Sequence, residues 1–162
     1  MYCSDFYRDT LQRVAPRTNL VCMDATHGTT QYDFLLVTLM VKDHTGMGCP
    51  VAHCICTKEN EDVLYAFLNE VRKKVGRIVV GYFMSDMAGA FYNAWCSVMH
   101  TSDDYPYPLP IAVKCIWHVI KAWKEMARRI IADADIELDI MNKLRALLHT
   151  RNASKVKQVI HN

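Results

Sequence analysis

Two aspartates lie where apolar segments of the sequence give way to polar ones. Asp24 ends the apolar run 19–24, and Asp86 closely follows a second apolar run, 78–83. Two carboxylates at such positions can supply hard oxygen ligands to Mg²⁺ or Mn²⁺, which also keep waters and take oxygens from a substrate phosphate. A pair of such ions can hold the attacking and leaving oxygens of a phosphoryl displacement. The alternative for Asp86 is that it caps the helix that follows.

The elements that must position these aspartates can be predicted from apolar patterning. Five short apolar runs predict strands, and the second is long enough to suggest burial on both faces. Asn60 is placed to cap a helix, which Gly76 ends. A second helix is predicted from residue 87, where apolar residues recur at helical spacing, and the chain after His118 is predicted to be helical. The predicted strands are 19–24, 34–41, 51–56, 78–83 and 111–115.

The order of these elements predicts the sheet. Three consecutive strands with short connections pair antiparallel, whereas the two strand–helix units that follow must cross over and lie parallel. The result is an α/β fold, a mixed five-stranded sheet of order 3-2-1-4-5 flanked by helices. Strands 1 and 4 are then neighbours about 4.8 Å apart, so Asp24 and Asp86 are expected at one sheet end, where open α/β sheets bind ligands.

A thiol and an imidazole, Cys115 and His118, form a second pattern. Their spacing suits half of a zinc site. Cys54, Cys56 and His53 are predicted on strand 3, at the opposite sheet edge, so a structural zinc ion is not expected. His118 is expected at the sheet end that carries the aspartates, where it can contact a phosphate or a catalytic water. The alternative is a hydrogen-bonded interior histidine.

The basic residues concentrate in the last third of the chain. Residues 1–113 contain 9 Lys/Arg and 12 Asp/Glu, whereas residues 114–162 contain 10 and 5. This asymmetry is compatible with a polyanionic partner, although solvated helix faces give similar counts. His27, which follows Asp24, is a further candidate contact or a turn residue. The candidate phosphate contacts in the basic segment are Lys121, Lys124, Arg128 and Arg129.

Composition restricts the class of protein. The 162 residues fit one domain, and no apolar run approaches the ~18–20 residues of a membrane span, so no membrane association is expected. The N-terminal sequence carries no secretory signal pattern. Seven cysteines, an odd number, are expected to be reduced thiols of an intracellular protein. The three tryptophans, Trp95, Trp117 and Trp123, are expected in the core.

Five short motifs, in this order, carry a family resemblance. They are Asp24-Ala25-Thr26-His27-Gly28-Thr29, Pro50-Val51-Ala52, Phe83-Met84-Ser85-Asp86, Tyr92-Asn93-Ala94-Trp95 and Cys115-Ile116-Trp117-His118-Val119. Over roughly residues 18–130 the chain resembles the transposase domain of Mutator-like elements (MULE transposases). The resemblance implies a ribonuclease H-like fold and cut-and-paste DNA transposition. It also implies a DDE set of metal-binding carboxylates, with Asp24 first and Asp86 second, and makes Cys115 and His118 a Cys-x-x-His motif.

The third carboxylate of that set has no evident counterpart. The resemblance places a Glu well beyond the Cys-x-x-His motif, after a helical insertion, and only Glu125 and Glu137 follow His118. Glu125 comes too early, and Glu137 belongs to an acidic helix at the start of such an insertion. We therefore expect an incomplete catalytic core with little activity as this chain alone. The alternative is a non-catalytic, domesticated module that binds DNA or a protein.

The resemblance completes the expected organisation. Residues 1–17 form a helical or loop lead-in, 18–132 the ribonuclease H-like core, and 133–162 a helical extension that begins the insertion. The expected cofactor is Mg²⁺ or Mn²⁺ in a two-metal site. The expected partner is DNA, both transposon ends and target, with a second copy of the chain as a further candidate partner. A DNA substrate implies a nuclear location.

Overall fold

A computed structural model describes residues 4–28, 31–86, 88–101 and 107–150. It divides into two compact units, residues 1–114 and 115–162. The predicted end of the core at residue 132 and the start of an insertion at 133 stay predictions. The first unit contains helices α1 (Asp5–Thr18), α2 (Glu61–Val75) and α3 (Ala90–Met99), with strands β1 (Leu20–Thr26), β2 (Leu35–Lys42), β3 (Gly48–Cys56), β4 (Tyr82–Ser85) and β5 (Ile111–Lys114). The second unit contains helices α4 (Ile116–Ile130) and α5 (Ala134–His149).

The sheet has the predicted order, β3-β2-β1-β4-β5. β1 pairs antiparallel with β2 and β2 antiparallel with β3, while β4 lies parallel to both β1 and β5. This mixed sheet, flanked by helices, is the ribonuclease H-like arrangement. The prediction of the fold is confirmed.

The continuous apolar run of β2 predicted burial on both faces, but the two faces are not equally covered. Leu35, Val37, Leu39 and Val41 are buried, whereas the alternate residues are half-buried. A strand presents successive side chains to opposite faces, so one face of β2 joins the core and the other is partly accessible. Apolar residues on the second face made the sequence resemble a strand buried on both sides.

The fourth strand lies further along the chain than predicted. It spans Tyr82–Ser85, whereas the apolar run begins at Ile78. Ile78 and Val80 are buried at 3% and 2% exposure, yet they belong to no strand. An apolar run indicates that residues are buried, but it does not indicate which of them form hydrogen bonds to a neighbouring strand. The predicted boundaries of β4 were wrong for this reason.

One hydrophobic core joins the sheet to α1, α2 and α3. It contains residues from all three helices, with Trp95, Phe83 and Phe91 among its largest fully buried side chains. α2 begins as predicted, because the Asn60 Oδ1 atom accepts a hydrogen bond from the Val63 N–H at 3.0 Å. No described helix is long and apolar enough to cross a membrane. All six cysteines within the described residues are free thiols.

Candidate active site at the carboxyl ends of β1 and β4

Asp24 lies in β1, and Asp86 directly follows β4, the parallel neighbour of β1. Leu20 pairs with Tyr82 and Cys22 with Met84, a constant offset of 62 positions. Cys22–Met84 is the last pair, and the same offset carried two residues further aligns Asp24 with Asp86, the first residue after β4. Parallel strands in register direct corresponding side chains to the same face. Both aspartates are half-buried, so they combine access to solvent with a fixed backbone.

Asp86 also has a local structural role. Its Oδ1 atom accepts a hydrogen bond from the Ala88 N–H at 2.9 Å, an Asx-type turn before α3. The residue that caps α3 is Gly89, without a side-chain hydrogen bond. The Lys114 ammonium, at the end of β5, donates to the Asp86 carbonyl oxygen at 3.1 Å. A cation therefore lies beside the backbone that carries this carboxylate.

Glu59 is a third carboxylate near the aspartates, and it was not among the predicted site residues. Its side chain is only 18% exposed. Burial raises the pKa of the Glu59 carboxyl, and the negative charges of Asp86 and Asp24 raise it further, while His27 lowers it. Glu59 therefore lies within electrostatic range of both aspartates. The His27 Nε2 atom lies 3.8 Å from the Glu59 Oε2 atom, so His27 belongs to the same site.

The topology contained a signal for Glu59. β3 is antiparallel to β2, which is antiparallel to β1, so β3 and β1 run in the same direction. The carboxyl end of β3 therefore lies at the sheet end that carries Asp24. Glu59 follows β3 by three residues, just before the Asn60 cap of α2. Polar residues that follow any strand running in the direction of β1 were therefore candidates. These include the residues after β3, which forms a hairpin with β2.

The donor set fits Mg²⁺ or Mn²⁺ chemically. Carboxylate oxygens are the ligands these ions prefer, and Mg²⁺ usually needs only one or two of them beside waters and substrate phosphate. The mutual repulsion at Glu59 is of the kind that a bound cation relieves. Within the described part of the chain, no group of three or more His, Cys, Asp or Glu residues is placed to hold a metal ion, so the two aspartates are the candidate ligands.

The family follows from a comparison with known proteins. A model of the MULE transposase domain matches residues 20–122, more than half of the chain. This chain belongs to the MULE transposase family. The resemblance drawn from the five motifs is therefore confirmed. The match includes Asp24, Glu59, Asp86 and the Cys-x-x-His motif, so the MULE domain contains every carboxylate of the candidate site.

A solved structure and the curated proteins were also compared with this MULE domain. A chain of the cryo-EM structure of the simian T-cell lymphotropic virus intasome in complex with PP2A regulatory subunit B56 gamma is similar at 14% identity, with a TM-score of 0.42. The similarity covers 79% of the present chain and 48% of the other, so the MULE chain spans about half of that protein's length. No curated protein matches.

The Cys-x-x-His motif of the MULE domain lies in the second unit. Cys115 is the N-cap of α4, with no side-chain cap hydrogen bond, and His118 lies in the first turn of this helix. The His118 and Trp117 rings meet edge-on, with their centroids 4.7 Å apart. The role of this pair in contacting a phosphate or water stays a prediction.

The predicted basic contacts all lie on α4, but they do not share one face. Lys121, Lys124 and Arg128 follow one another at helical spacing, whereas Arg129 points about 100° away from Arg128. The Arg129 Nη2 atom contacts the Met126 sulfur at 3.3 Å. Trp117 was wrongly expected in the core: its side chain is 62% exposed, whereas Trp95 is fully buried as predicted.

Proposed function

We propose that this MULE domain cleaves DNA strands in a divalent-metal-dependent reaction, as the cutting step of cut-and-paste transposition. The observation that supports this most is the register of β1 and β4, whose offset, continued two residues past the last pair, aligns Asp24 with Asp86, with Glu59 in electrostatic range of both. Membership of the family gives the substrate class. A nuclear location follows from that substrate.

The residues of the chain would perform distinct tasks in this reaction. Asp24 and Asp86 would hold Mg²⁺ or Mn²⁺, and Glu59 would add negative charge that favours cation binding. When bound, such ions lower the pKa of a water and stabilise the charge on the leaving oxygen. Lys114 and His27, on either side of the carboxylates, would attract and orient the phosphate of the scissile strand.

The reaction class is hydrolysis followed by transfer. A water oxygen forms a bond to the phosphorus, the bond from phosphorus to the 3′ oxygen breaks, and that oxygen takes a proton to become a 3′-hydroxyl. In strand transfer the same hydroxyl attacks a target phosphodiester and displaces another 3′ oxygen. No covalent intermediate with the protein is needed, because the attacking group in each step is a water or a DNA end.

Nicking of supercoiled plasmid by the full chain tests this proposal. The lack of an evident third carboxylate predicted little activity from this chain alone, but Glu59 adds a third carboxylate near both aspartates. We therefore expect nicking with Mg²⁺ or Mn²⁺ and none in EDTA, and at least about 100-fold slower nicking by Asp24→Asn or Asp86→Asn, because loss of several kcal/mol of charge stabilisation slows a reaction by that factor or more. Asp9→Asn is the matched control, since Asp9 is a half-exposed carboxylate on α1 that pairs with Arg8 and Arg13.

Two outcomes would contradict the proposal. Nicking that persists in both active-site variants would come from another site or a contaminant. DNA binding without any metal-dependent nicking would favour the non-catalytic module that the sequence analysis left as the alternative.

A further inference from the structure

Four side chains form one stripe along α4. Trp117, Lys121, Lys124 and Arg128 follow at intervals of four, three and four residues, which keeps them on one face of a helix. At 1.5 Å per residue the stripe is about 16 Å long. Roughly five nucleotides at 3.4 Å per strand step would span the same distance.

The stripe is separate from the face with which α4 packs. The apolar residues of α4 lie on another side of the helix, and Ala127, the one buried residue of α4, is among them. Lys121, Lys124 and Arg128 are all exposed. Burial therefore does not explain the composition of this face, although Arg128 also pairs with Glu137 of α5.

Trp117 is held in place at one end of the stripe. The Lys121 ammonium lies 5.3 Å from the centroid of the Trp117 ring, within the range of a cation–π interaction, and His118 contacts the ring edge-on. An indole that is 62% exposed and held by two neighbours presents a flat apolar surface to solvent. Such a surface, next to cations, is the kind on which proteins stack unpaired bases.

At its other end the stripe continues onto α5. A cleft of about 330 Å³ is lined by Lys124 and Arg128 of α4 and by Arg145 of α5, over an apolar floor that includes Met141. One carboxylate lines it, that of Glu137, which pairs with the Arg128 guanidinium at 3.6 Å. Three basic groups against one paired acid give the cleft a positive charge.

We propose that this stripe binds the DNA backbone, with phosphates along Lys121, Lys124, Arg128 and the cleft, and with an unpaired base stacked on Trp117. Regularly spaced cations release counterions from DNA on binding, which is the source of sequence-independent affinity. The exposed indole adds a preference for strands that have lost their pairing partner. The choice of DNA among polyanions rests on the proposed function, but the stripe itself contains none of the carboxylate residues.

Fluorescence anisotropy with the full chain in EDTA tests the stripe without any cleavage. The probes are a labelled 16-nucleotide single strand and the corresponding duplex, each titrated at several salt concentrations. Lys124→Ala is expected to weaken binding to both probes and to reduce the slope of log K against log salt by about 1. Trp117→Ala is expected to weaken single-strand binding about 5- to 150-fold, the range for one lost stacking contact, and to leave duplex binding nearly unchanged.

Two further variants control for charge and for stacking. Lys73→Ala removes an equal charge from an exposed lysine of α2 that pairs with Glu70, and should keep the wild-type slope. Trp117→Phe should retain much of the single-strand affinity, because it keeps an aromatic ring at the end of the stripe.

The outcomes distinguish this inference from the proposed function. If Lys124→Ala and Arg128→Ala bind both probes as Lys73→Ala does, the stripe is not the DNA surface, whatever the plasmid assay shows. If Trp117→Ala weakens both probes equally, the stacking part is wrong. If Asp24→Asn binds DNA through the stripe while the wild-type chain does not nick plasmid, the inference stands and the catalytic proposal fails.

Discussion

The His27 Nε2 atom lies 3.8 Å from the Glu59 Oε2 atom, which brings the loop after β1 against the segment before α2. Asp24 precedes His27 by three residues, and Asp86 and Asp24 both raise the pKa of Glu59. Negative charge from three segments of the chain therefore accumulates at one sheet end. This accumulation costs stability unless a cation offsets it.

Replacing Glu59 with glutamine should stabilise the protein in EDTA at neutral pH. The pKa of Glu59 is raised in the fold from its ordinary value of 4.5, so the folded state disfavours the ionised form. The stability contributed by Glu59 is fully present below that ordinary value and is lost as pH rises through the raised pKa. Melting curves should therefore show a higher Tm for Glu59→Gln at pH 7 and little difference at pH 4.

A matched variant checks that this effect is local. Glu61→Gln removes an exposed carboxylate from the first turn of α2, where the helix dipole favours negative charge, so it should lower the Tm slightly. A lower Tm for Glu59→Gln at pH 7 would mean that the His27 pair outweighs the repulsion from the aspartates.

Divalent cations should stabilise the wild-type chain through Asp24. Ligand that binds only the folded state, at 100 times its Kd, adds about 2.7 kcal/mol of stability. Mg²⁺ or Mn²⁺ should therefore raise the Tm of the wild-type protein, and Asp24→Asn should lose most of the increase because one ligand is gone. The Asp9→Asn control should keep the increase. An equal shift in Asp24→Asn would remove Asp24 from the metal site.

The sequence allowed the sheet order to be predicted, together with the candidate carboxylates Asp24 and Asp86. These predictions depend on apolar runs and on the lengths of the connections between them, which can be read along the sequence. Apolar runs located five strands, and the length of each connection indicated whether its strands pair directly or cross over. The predicted proximity of Asp24 and Asp86 rests on strand order alone. Glu59 was missed because it lies between the end of β3 and the Asn60 cap, where no periodicity indicates which way a side chain points.

The tryptophans show a second limit of sequence reasoning. Trp95 and Trp117 both have apolar neighbours in the sequence, yet Trp95 is fully buried and Trp117 is 62% exposed. Trp117 falls on the basic side of α4 because of its angular position relative to Lys121 and Lys124. In such a helix, the angular position of a residue around the helix axis decides whether it is buried, and the composition of its sequence neighbours does not.

The Asn60 cap should contribute measurably to stability. Its side chain accepts a hydrogen bond from the Val63 N–H, one of the α2 donors that lack a partner within the helix. Asn60→Ala should cost about 1 kcal/mol, or about 2–4 °C in Tm for a chain of this size. Asn60→Asp preserves an acceptor at the N-cap and should stay near the wild type. Equal losses in both variants would indicate a role for the amide group beyond capping.

Asn19 should set the register on which the aspartate pair depends. It has φ 55°, in the left-handed region, and its side-chain oxygen accepts a hydrogen bond from the Gly81 N–H. Its carbonyl oxygen also accepts from the Tyr82 N–H at 3.0 Å, immediately before the first pair of β1 and β4. One residue thus joins the start of β1 to the start of β4, five residues before Asp24.

Two substitutions at Asn19 separate its contributions. Asn19→Gly keeps the left-handed backbone accessible but loses the side-chain bond to Gly81, a cost of about 1 kcal/mol. Asn19→Ala loses the same bond and adds about 1–2 kcal/mol of left-handed strain. Urea unfolding should therefore rank wild type above Asn19→Gly and Asn19→Ala lowest. If the two variants were equally stable, the backbone conformation would contribute nothing, and the hydrogen bond alone would account for the junction between β1 and β4.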